Sequence, residues 1–415
     1  MEEKRVVVTG LGAITPIGNT VSAYWEGLSQ GKSGSDLITH FDASKFKTRF
    51  ACEVKGFDPL SHFNRKEARK MDPFTQFAVV AANEALSDAE IDLEKVDRNR
   101  FGVLMGSGIG GLNVMYQEIR NFVEGEGNPR FNPFFIPKMI IDISSGQISI
   151  KHGLKGPNYS SVSACATASN CIIDAYMLIK QGFADRMLAG GSEAAINEIG
   201  MGGFNGMKAL SENNEAYKSA SRPFDVSRDG FVMGEGGGCL LLEEYQSAMD
   251  RGAKVYAELK GVGMSADANH ITAPCADGEG AARVMASTLA HAGVQPDEVD
   301  YINVHGTSTP LGDKSETLAI KTVFGSYAEK INISSSKSMT GHLLGAAGAI
   351  ESIAAILAMN HNLVPPTINF EHSDPDCDLN YTFNAAQPRE VKVAISNTFG
   401  FGGHNACLLF KKWED

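Results

Sequence analysis

Three residues far apart in this 415-residue chain have side chains suited to one shared chemistry: Cys165, His305 and His342. Cys165 lies within Ser160 to Gln181, SSVSACATASNCIIDAYMLIKQ, which begins with small and β-prone residues and becomes an apolar pattern at helical spacing. That order predicts a strand turning sharply into a helix, with the thiol at the turn. A thiol there sits at the positive end of a helix dipole, so its thiolate is favoured and backbone N–H groups face whatever it attacks. The competing reading is a buried structural cysteine, the commoner fate of this residue type. His305 follows the predicted strand Tyr301-Ile-Asn-Val304, and His342 opens a helix after Lys337-Ser-Met-Thr-Gly341. Strand ends and helix starts are where α/β folds put reacting groups. A lone histidine is usually a core or surface residue. Two at such positions, with the cysteine, point to a single centre.

Two chemistries compete for this trio. One Cys and two His are enough ligands for catalytic zinc. The chain lacks an HxxxH or HxE pair and has no supporting carboxylates at motif spacing, which argues against a metal. A Cys-His hydrolase uses one imidazole to take the thiol proton, oriented by a third group. That scheme leaves the second histidine unexplained.

The elements that must hold these residues occur in an order that repeats. Arg5 to Gly18 reads as a buried strand and a Gly-rich turn, Val21 to Gln30 as a short helix, and Asn64 to Leu86 as a longer helix. Phe101 to Met105 is a strand running into Gly106-Ser-Gly-Ile-Gly-Gly111, followed by a polar loop, Asn121 to Pro133. The glycines match GxGxxG, but no strand with a terminal acidic residue follows at the spacing a dinucleotide fold needs. Close backbone packing explains them better. Arg186 to Gly190 is a strand leading to Gly191-Ser-Glu193, and Gly234 to Glu243 is a Gly-rich strand. From about Tyr256 the order recurs. Ala257 to Gly263 echoes Val6 to Gly12, Gly278 to Ala292 is a helix, and Val299 to Val304 is a strand. Ile331 to Ser335 turns into the apolar helix Leu343 to Met359 where the first half has its Cys165 elbow. Gly400 to Phe410, after the strand Val391 to Ser396, echoes Gly234 to Leu242. Strands alternating with helices, given twice, predict an α/β fold of two fused repeats, residues 1–255 with the cysteine and 256–415 with both histidines. Pseudo-twofold packing then puts Cys165 and His342 at equivalent elbows facing one centre.

Composition narrows the classes. The hydrophobic share of 43% and charged share of 21% are those of a globular protein. No apolar run reaches the roughly 18–20 residues of a membrane span. The start, Met1-Glu-Glu-Lys-Arg5, leads directly into Val6-Val-Val8 and lacks a signal peptide's apolar region. Seven scattered cysteines without a CxxC predict a reducing, cytoplasmic setting. A net charge of −12 weighs against nucleic acid. On so acidic a chain the cluster Arg65, Lys66, Arg69 and Lys70 stands out, either as a solvated helix face or as a landing site for an acidic partner.

Four ordered motifs resemble those of β-ketoacyl-acyl carrier protein synthases, closest to the synthase II branch: Ala164-Cys-Ala-Thr167, His305-Gly-Thr-Ser-Thr-Pro310, Lys337-Ser-Met-Thr-Gly-His342 and Asn397-Thr-Phe-Gly-Phe-Gly-Gly403. The resemblance runs from Val6 to Phe410. It implies a thiolase-like layered α-β-α-β-α body, usually homodimeric, that condenses an acyl thioester on Cys165 with malonyl-acyl carrier protein and releases carbon dioxide. Neutral His305 and His342 would stabilise the enolate, which gives two imidazoles a use. The Cys165 and Phe401 backbone N–H groups would hold the oxyanion. By the same resemblance Lys337 and Glu351 form a supporting polar network, and Thr307 and Thr309 bond the phosphopantetheine arm that arrives on the carrier. Phe401 is the gate, its flanking glycines supplying the freedom to swing. Ile109 and Phe204 line the acyl pocket or are plain core. Arg65, Lys66, Arg69, Lys70 and Lys208 dock the acidic carrier. No redox cofactor is required, and a structural Na+ or K+ would sit near Asn303, Glu351, Ser396 and Asn397. Asn170 departs from the His that many relatives carry. The rivals are a polyketide or aryl-polyene ketosynthase, a non-catalytic chain-length subunit, and a degradative thiolase. The chain-length subunit would lack the nucleophile, and the thiolase would use a second Cys with one His.

Overall fold

The computed structural model describes residues 4–414, so the chain start Met1–Glu3 and the final Asp415, included in the two predicted halves, lie outside it. Ten strands form one hydrogen-bonded run. They are β1 (Val6–Ile14), β2 (Phe101–Gly106), β3 (Asn158–Tyr159), β4 (Arg186–Glu193), β5 (Gly236–Glu244), β6 (Ala257–Ala266), β7 (Tyr301–Asn303), β8 (Asn332–Ser334), β9 (Val393–Gly400) and β10 (His404–Lys412). Their spatial order is β8-β7-β9-β10-β6-β1-β5-β4-β2-β3. Counted outward from the middle, each half lays down its first, fifth, fourth, second and third strand. The seam pairs Val7 with Glu258 and Val8 with Ala257. Even the irregularities recur. The β1–β5 register shifts between Val8 and Gly10, opposite Leu242 and Leu241, and the β6–β10 register shifts between Leu409 and Phe410. Those bulges lie at matching rungs, so the ladders fix which residue of one half corresponds to which of the other.

Five helices matter for the site: α1 (Pro73–Asp88), α2 (Thr167–Lys180), α3 (Glu279–Ala292), α4 (Pro310–Phe324) and α5 (Ala347–His361). α1 packs on β1 and β5, and α3 packs on β6 and β10, as the two outer layers. α2 and α5 touch each other and strands of both halves. The result is helix–sheet–helix–sheet–helix. Ala347 to Met359 are buried all round α5, as an apolar helix between two sheets must be. The helical run Leu344–His361 does reach spanning length and hydropathy, against the expectation from sequence, but 89% of it is buried in this core.

Local differences have physical causes. The predicted helix Asn64–Leu86 is two helices, because Pro73 forces Asp72 into extended backbone (ψ 156°) after the short helix Arg65–Ala68. The predicted loop at Asn121 begins later, since the helix Leu112–Glu124 runs through it. The strand before the cysteine is two residues of parallel ladder, Asn158 and Tyr159 against Val103 and Leu104. Gly106 does serve close packing: a Cβ there would lie 2.4 Å from the Thr167 methyl and 2.8 Å from the Ser161 carbonyl.

Candidate active site

The cysteine elbow is a single 3-10 turn, Ala164–Ala166, leading into α2, and Ala164 takes a left-handed φ of +50°. That turn aims Cys165 into the seam, where it is 7% exposed. His342 comes from the other half. Its backbone N–H donates to the Val232 carbonyl at 2.7 Å, and its carbonyl accepts from Gly234 N–H at 2.9 Å. These bonds hold its Nε2 3.0 Å from Cys165 Sγ. His305 stands with its ring centroid 5.3 Å from that of His342, the two planes at 89°. Glu316, on α4, accepts the His305 and Gly306 backbone N–H groups at 2.9 and 2.8 Å and so fixes that loop. All three predicted chemical groups thus meet.

The second half's elbow, Leu344–Ala346 leading into α5, repeats the first in detail, with Leu344 at φ +47°. The residue there that corresponds to Cys165 is Gly345. His342 lies three positions before it, on the chain entering the elbow. Cys165 and His342 thus lie at equivalent elbows facing one centre, as the repeat predicts, with an offset of three positions between them.

Electrostatics also revise the sequence reading. Burial pushes the Cys165 thiol up to about 12, against the pull of the Lys337 charge and the Phe401 backbone N–H. The helix-end argument for a ready thiolate loses here to desolvation. Burial, then the Lys337 charge, hold both His305 and His342 well below the ordinary imidazole value. The resting centre is a thiol beside two neutral imidazoles. Lys337 and Glu351 form a fully buried ion pair, with burial pushing Glu351 up to about 7.

These groups open onto a cavity of about 270 Å³. Thr307 and Thr309 line it with their hydroxyls 3.1 Å apart. Phe401 and Phe204 line it too, whereas Ile109 packs one layer behind, in an apolar cluster with Phe204, Phe231 and Leu344. Phe231 in turn sets its ring edge-on to His342, centroids 5.3 Å apart. Arg65, Lys66 and Arg69 are exposed on and just after the short helix, and Lys70 lies over the Phe134 ring at 5.2 Å. Lys208, exposed, follows the cavity-lining Met207. Asn170 donates to Ser163 Oγ at 2.5 Å, beside the elbow.

The four residues expected near a monovalent cation come together. Asn303 on β7 pairs in register with Ser396 on β9, Asn397 follows, and α5 brings Glu351 against the same strands. Asn303 Oδ1, Ser396 Oγ, Asn397 Oδ1 and Glu351 Oε2 are buried and meet no hydrogen-bond partner among the described residues. Neutral and anionic oxygens of this kind suit a hard cation. Asn397 Nδ2 donates to Glu316 at 3.3 Å.

Two buried carboxylates escaped the sequence reading, Glu316 and Glu193. Glu316 lies in the helix just after the His305 motif, and its charge type reads as a solvated helix face. Glu193 reads as a polar strand end. Only the fold turns each toward backbone N–H groups.

Comparison with known proteins identifies the family. The family model of the beta-ketoacyl synthase N-terminal domain matches residues 3–248, and that of the C-terminal domain matches residues 256–371. A 3-oxoacyl-[acyl-carrier-protein] synthase 2 of Synechocystis is 51% identical over 414 residues, covering 100% of this chain and 99% of the relative. The synthase 2 of Staphylococcus aureus is 48% identical over 413 residues, covering 100% and 99%. Among solved structures, a type II PKS acyl-carrier protein in complex with its ketosynthase (AntDE:AntF) superposes with a TM-score of 0.93 at 35% identity, covering 100% of both chains. A beta-ketoacyl synthase from Burkholderia phymatum gives 0.92 at 34% identity, covering 99% of this chain and 100% of the other. With matching models over both halves and relatives alike along their whole length, this chain belongs to the beta-ketoacyl synthase family.

Proposed function

We propose that this chain takes an acyl group onto Cys165 and condenses it with malonyl-acyl carrier protein, lengthening a fatty acyl chain by two carbons. The observation that carries the reading is the meeting of the Cys165 sulfur with His342 at 3.0 Å, and with His305 beside it, at the end of one cavity. Identities of 51% and 48% to proteins named synthase 2, against 35% to the polyketide enzyme, favour the fatty-acid branch over a polyketide or aryl-polyene pathway. A chain-length subunit without catalysis has no need of the nucleophile.

Cys165 attacks the acyl thioester carbonyl, and the oxyanion is held by the Cys165 and Phe401 N–H groups, donors typically worth about 3–4 kcal/mol each. The tetrahedral intermediate collapses, the carrier thiolate leaves, and it takes up the proton that Cys165 gave. Malonyl-carrier then binds, its arm along Thr307 and Thr309. The bond to its carboxylate breaks, carbon dioxide departs, and the electron pair passes to the thioester oxygen as an enolate. His305 and His342, kept neutral by burial and by Lys337, each donate an N–H to that oxygen. The enolate carbon attacks the Cys165 thioester, the carbon–sulfur bond breaks, and one proton from water restores the thiol. Each turnover needs no redox cofactor. A Na+ or K+ held by Asn303, Glu351, Ser396 and Asn397 would supply a fixed positive charge behind the histidines. Phe401 swings on Gly402 and Gly403, both at left-handed φ (+87° and +73°), to admit the acyl chain.

The acyl carrier protein docks on Arg65, Lys66, Arg69, Lys70 and Lys208. Two copies of the chain pair through the outer edge at β3, an unpaired strand edge where Tyr159 and Val162 are exposed. The work is done in the cytoplasm, where seven free thiols persist. The test is mass spectrometry of carrier-bound products after mixing the chain with octanoyl-carrier and malonyl-carrier. A 3-oxodecanoyl-carrier from the wild type, and none from Cys165→Ala, is expected. No elongated carrier from the wild type, or equal product from Cys165→Ala, overturns the reading.

A further inference from the structure

Glu193 is a fully buried carboxylate that the catalytic scheme does not use. Among the described residues it forms no ion pair. Four donors surround it instead: Ser107 Oγ–H at 2.7 Å and Ile109 N–H at 3.3 Å to Oε1, and Gly108 N–H at 2.8 Å and Gly345 N–H at 3.1 Å to Oε2. Three of these come from the loop after β2, and the fourth from the elbow that follows His342. The carboxylate therefore spans the seam between the halves. The two backbones it joins are already in contact, since a Cβ on Gly345 would lie 2.1 Å from Gly108 N.

The duplicated ladders give this position a meaning. Glu193 faces Gly236 at the end of the β4–β5 ladder, as Gly400 faces His404 at the end of the β9–β10 ladder. Glu193 and Gly400 are thus counterparts, as are Gly345 and Cys165. Around the cysteine, Gly400 packs against the elbow, a Cβ there lying 3.2 Å from Cys165 N, and the space beyond is the proposed oxyanion position. In the mirrored place, the elbow's N–H donates to Glu193. One elbow N–H waits for a transient oxyanion, and its counterpart already has a carboxyl oxygen as its partner.

We propose that Glu193 is a built-in anion filling the second half's counterpart of the oxyanion pocket, and that it acts as a positioning residue, fixing the His342 elbow against the loop that carries Ile109. Both consequences concern the same carboxylate. Ile109 and Leu344, one from each tethered segment, share the apolar cluster whose Phe204, Phe231 and Leu344 line the cavity. Loosening the tether shifts the wall on the acyl side and the imidazole on the malonyl side together. This inference rests on the reading of that cavity as the acyl site.

Glu193→Gln keeps the shape but turns an amide N–H₂ toward donors, leaving at least one of the four unpaired. Two quantities are measured on the purified chain: kcat for carbon dioxide release from malonyl-carrier, and the ratio of kcat/KM for tetradecanoyl-carrier to that for butyryl-carrier. Loss of a charged acceptor is expected to lower the first about tenfold and to shift the second about fivefold. Ser107→Ala removes one donor and leaves the carboxylate, so it moves both quantities in the same direction by less, and it serves where the first variant does not fold. In the double variant the effects are less than additive, because both act through one group. Equal losses at both chain lengths in a folded variant, or movement of only one quantity, overturn the inference while leaving the condensing activity of the wild type in place. A wild type that elongates neither chain overturns the function itself, and this inference with it.

Discussion

The elbow at Cys165 and the elbow at Gly345 have the same backbone and opposite duties. Thr167 at φ −51°, ψ −55° matches Ala347 at φ −52°, ψ −51°, and each turn begins with a left-handed residue that is not glycine. At three positions where one half carries a reacting or charged group, the other carries glycine. Cys165 corresponds to Gly345, and Glu193 to Gly400. Asn303 pairs with Ser396 as Leu104 pairs with Ala189, so two residues further His305 corresponds to Gly106. A duplicated scaffold supplies two possible centres. Side chains occupy one place of each pair, and the glycine opposite leaves room for the backbone or substrate that must approach. The asymmetry of chemistry thus resides in a few positions, while the architecture stays symmetric.

Breaking that division at its glycines gives the largest effects. Gly400→Ala puts a methyl 2.8 Å from the Ser163 carbonyl and 3.2 Å from Cys165 N, where the proposed oxyanion forms, so kcat falls about a hundredfold with a smaller loss of stability than at Gly345. Gly345→Ala drives a methyl against Gly108 N, backbone on backbone, and costs about 1–3 kcal/mol of stability or more. Steady-state kinetics and thermal melts on both variants sharpen the comparison. If Gly345→Ala loses only turnover and Gly400→Ala loses only stability, the assignment of the two elbows is reversed.

A smaller effect probes the sulfur itself. With burial holding the thiol near 12, the rate of Cys165 alkylation by iodoacetamide is expected to rise about tenfold per pH unit from pH 7 to 10, because only the thiolate reacts. A plateau below pH 8 would mean that the helix end outweighs desolvation after all. The smallest effect concerns arrival. The proposed docking charge, Arg65, Lys66, Arg69, Lys70 and Lys208, lies in the first half, whereas Thr307 and Thr309, proposed to bind the arm, lie in the second. Reversing Lys66 and Arg69 to Glu therefore raises KM for carrier-bound substrate about tenfold and leaves a small thioester mimic unaffected. An equal change for the mimic removes docking as the cause.

Much of this was legible in the residues. The order of strands and helices, its recurrence after Tyr256, and the trio of Cys165, His305 and His342 follow from periodicity and from motifs that name their own turns. The interior carboxylates did not. Glu193 and Glu316 look like ordinary strand-end and helix charges, yet Glu193 accepts from backbone N–H groups 84, 85 and 152 residues away, and Glu316 from two that a turn of loop brings back from 11 and 10 residues before it. The three-residue offset between Cys165 and His342 was hidden for a related reason. Sequence shows that two elbows exist, but the left-handed residues that align them, Ala164 and Leu344, carry no glycine signal. The thiol's protonation was misjudged because a dipole is visible in a sequence and desolvation is not.

The account depends on imidazoles from one half acting on substrate beside a sulfur from the other. The direct measurement is carbon dioxide release from malonyl-carrier by enzyme already acylated on Cys165, for wild type, His305→Ala and His342→Ala. Both variants are expected to accept the acyl group, verified by intact mass, and to release carbon dioxide about 10²–10³-fold more slowly than wild type. Release at the wild-type rate from either acylated variant would contradict it.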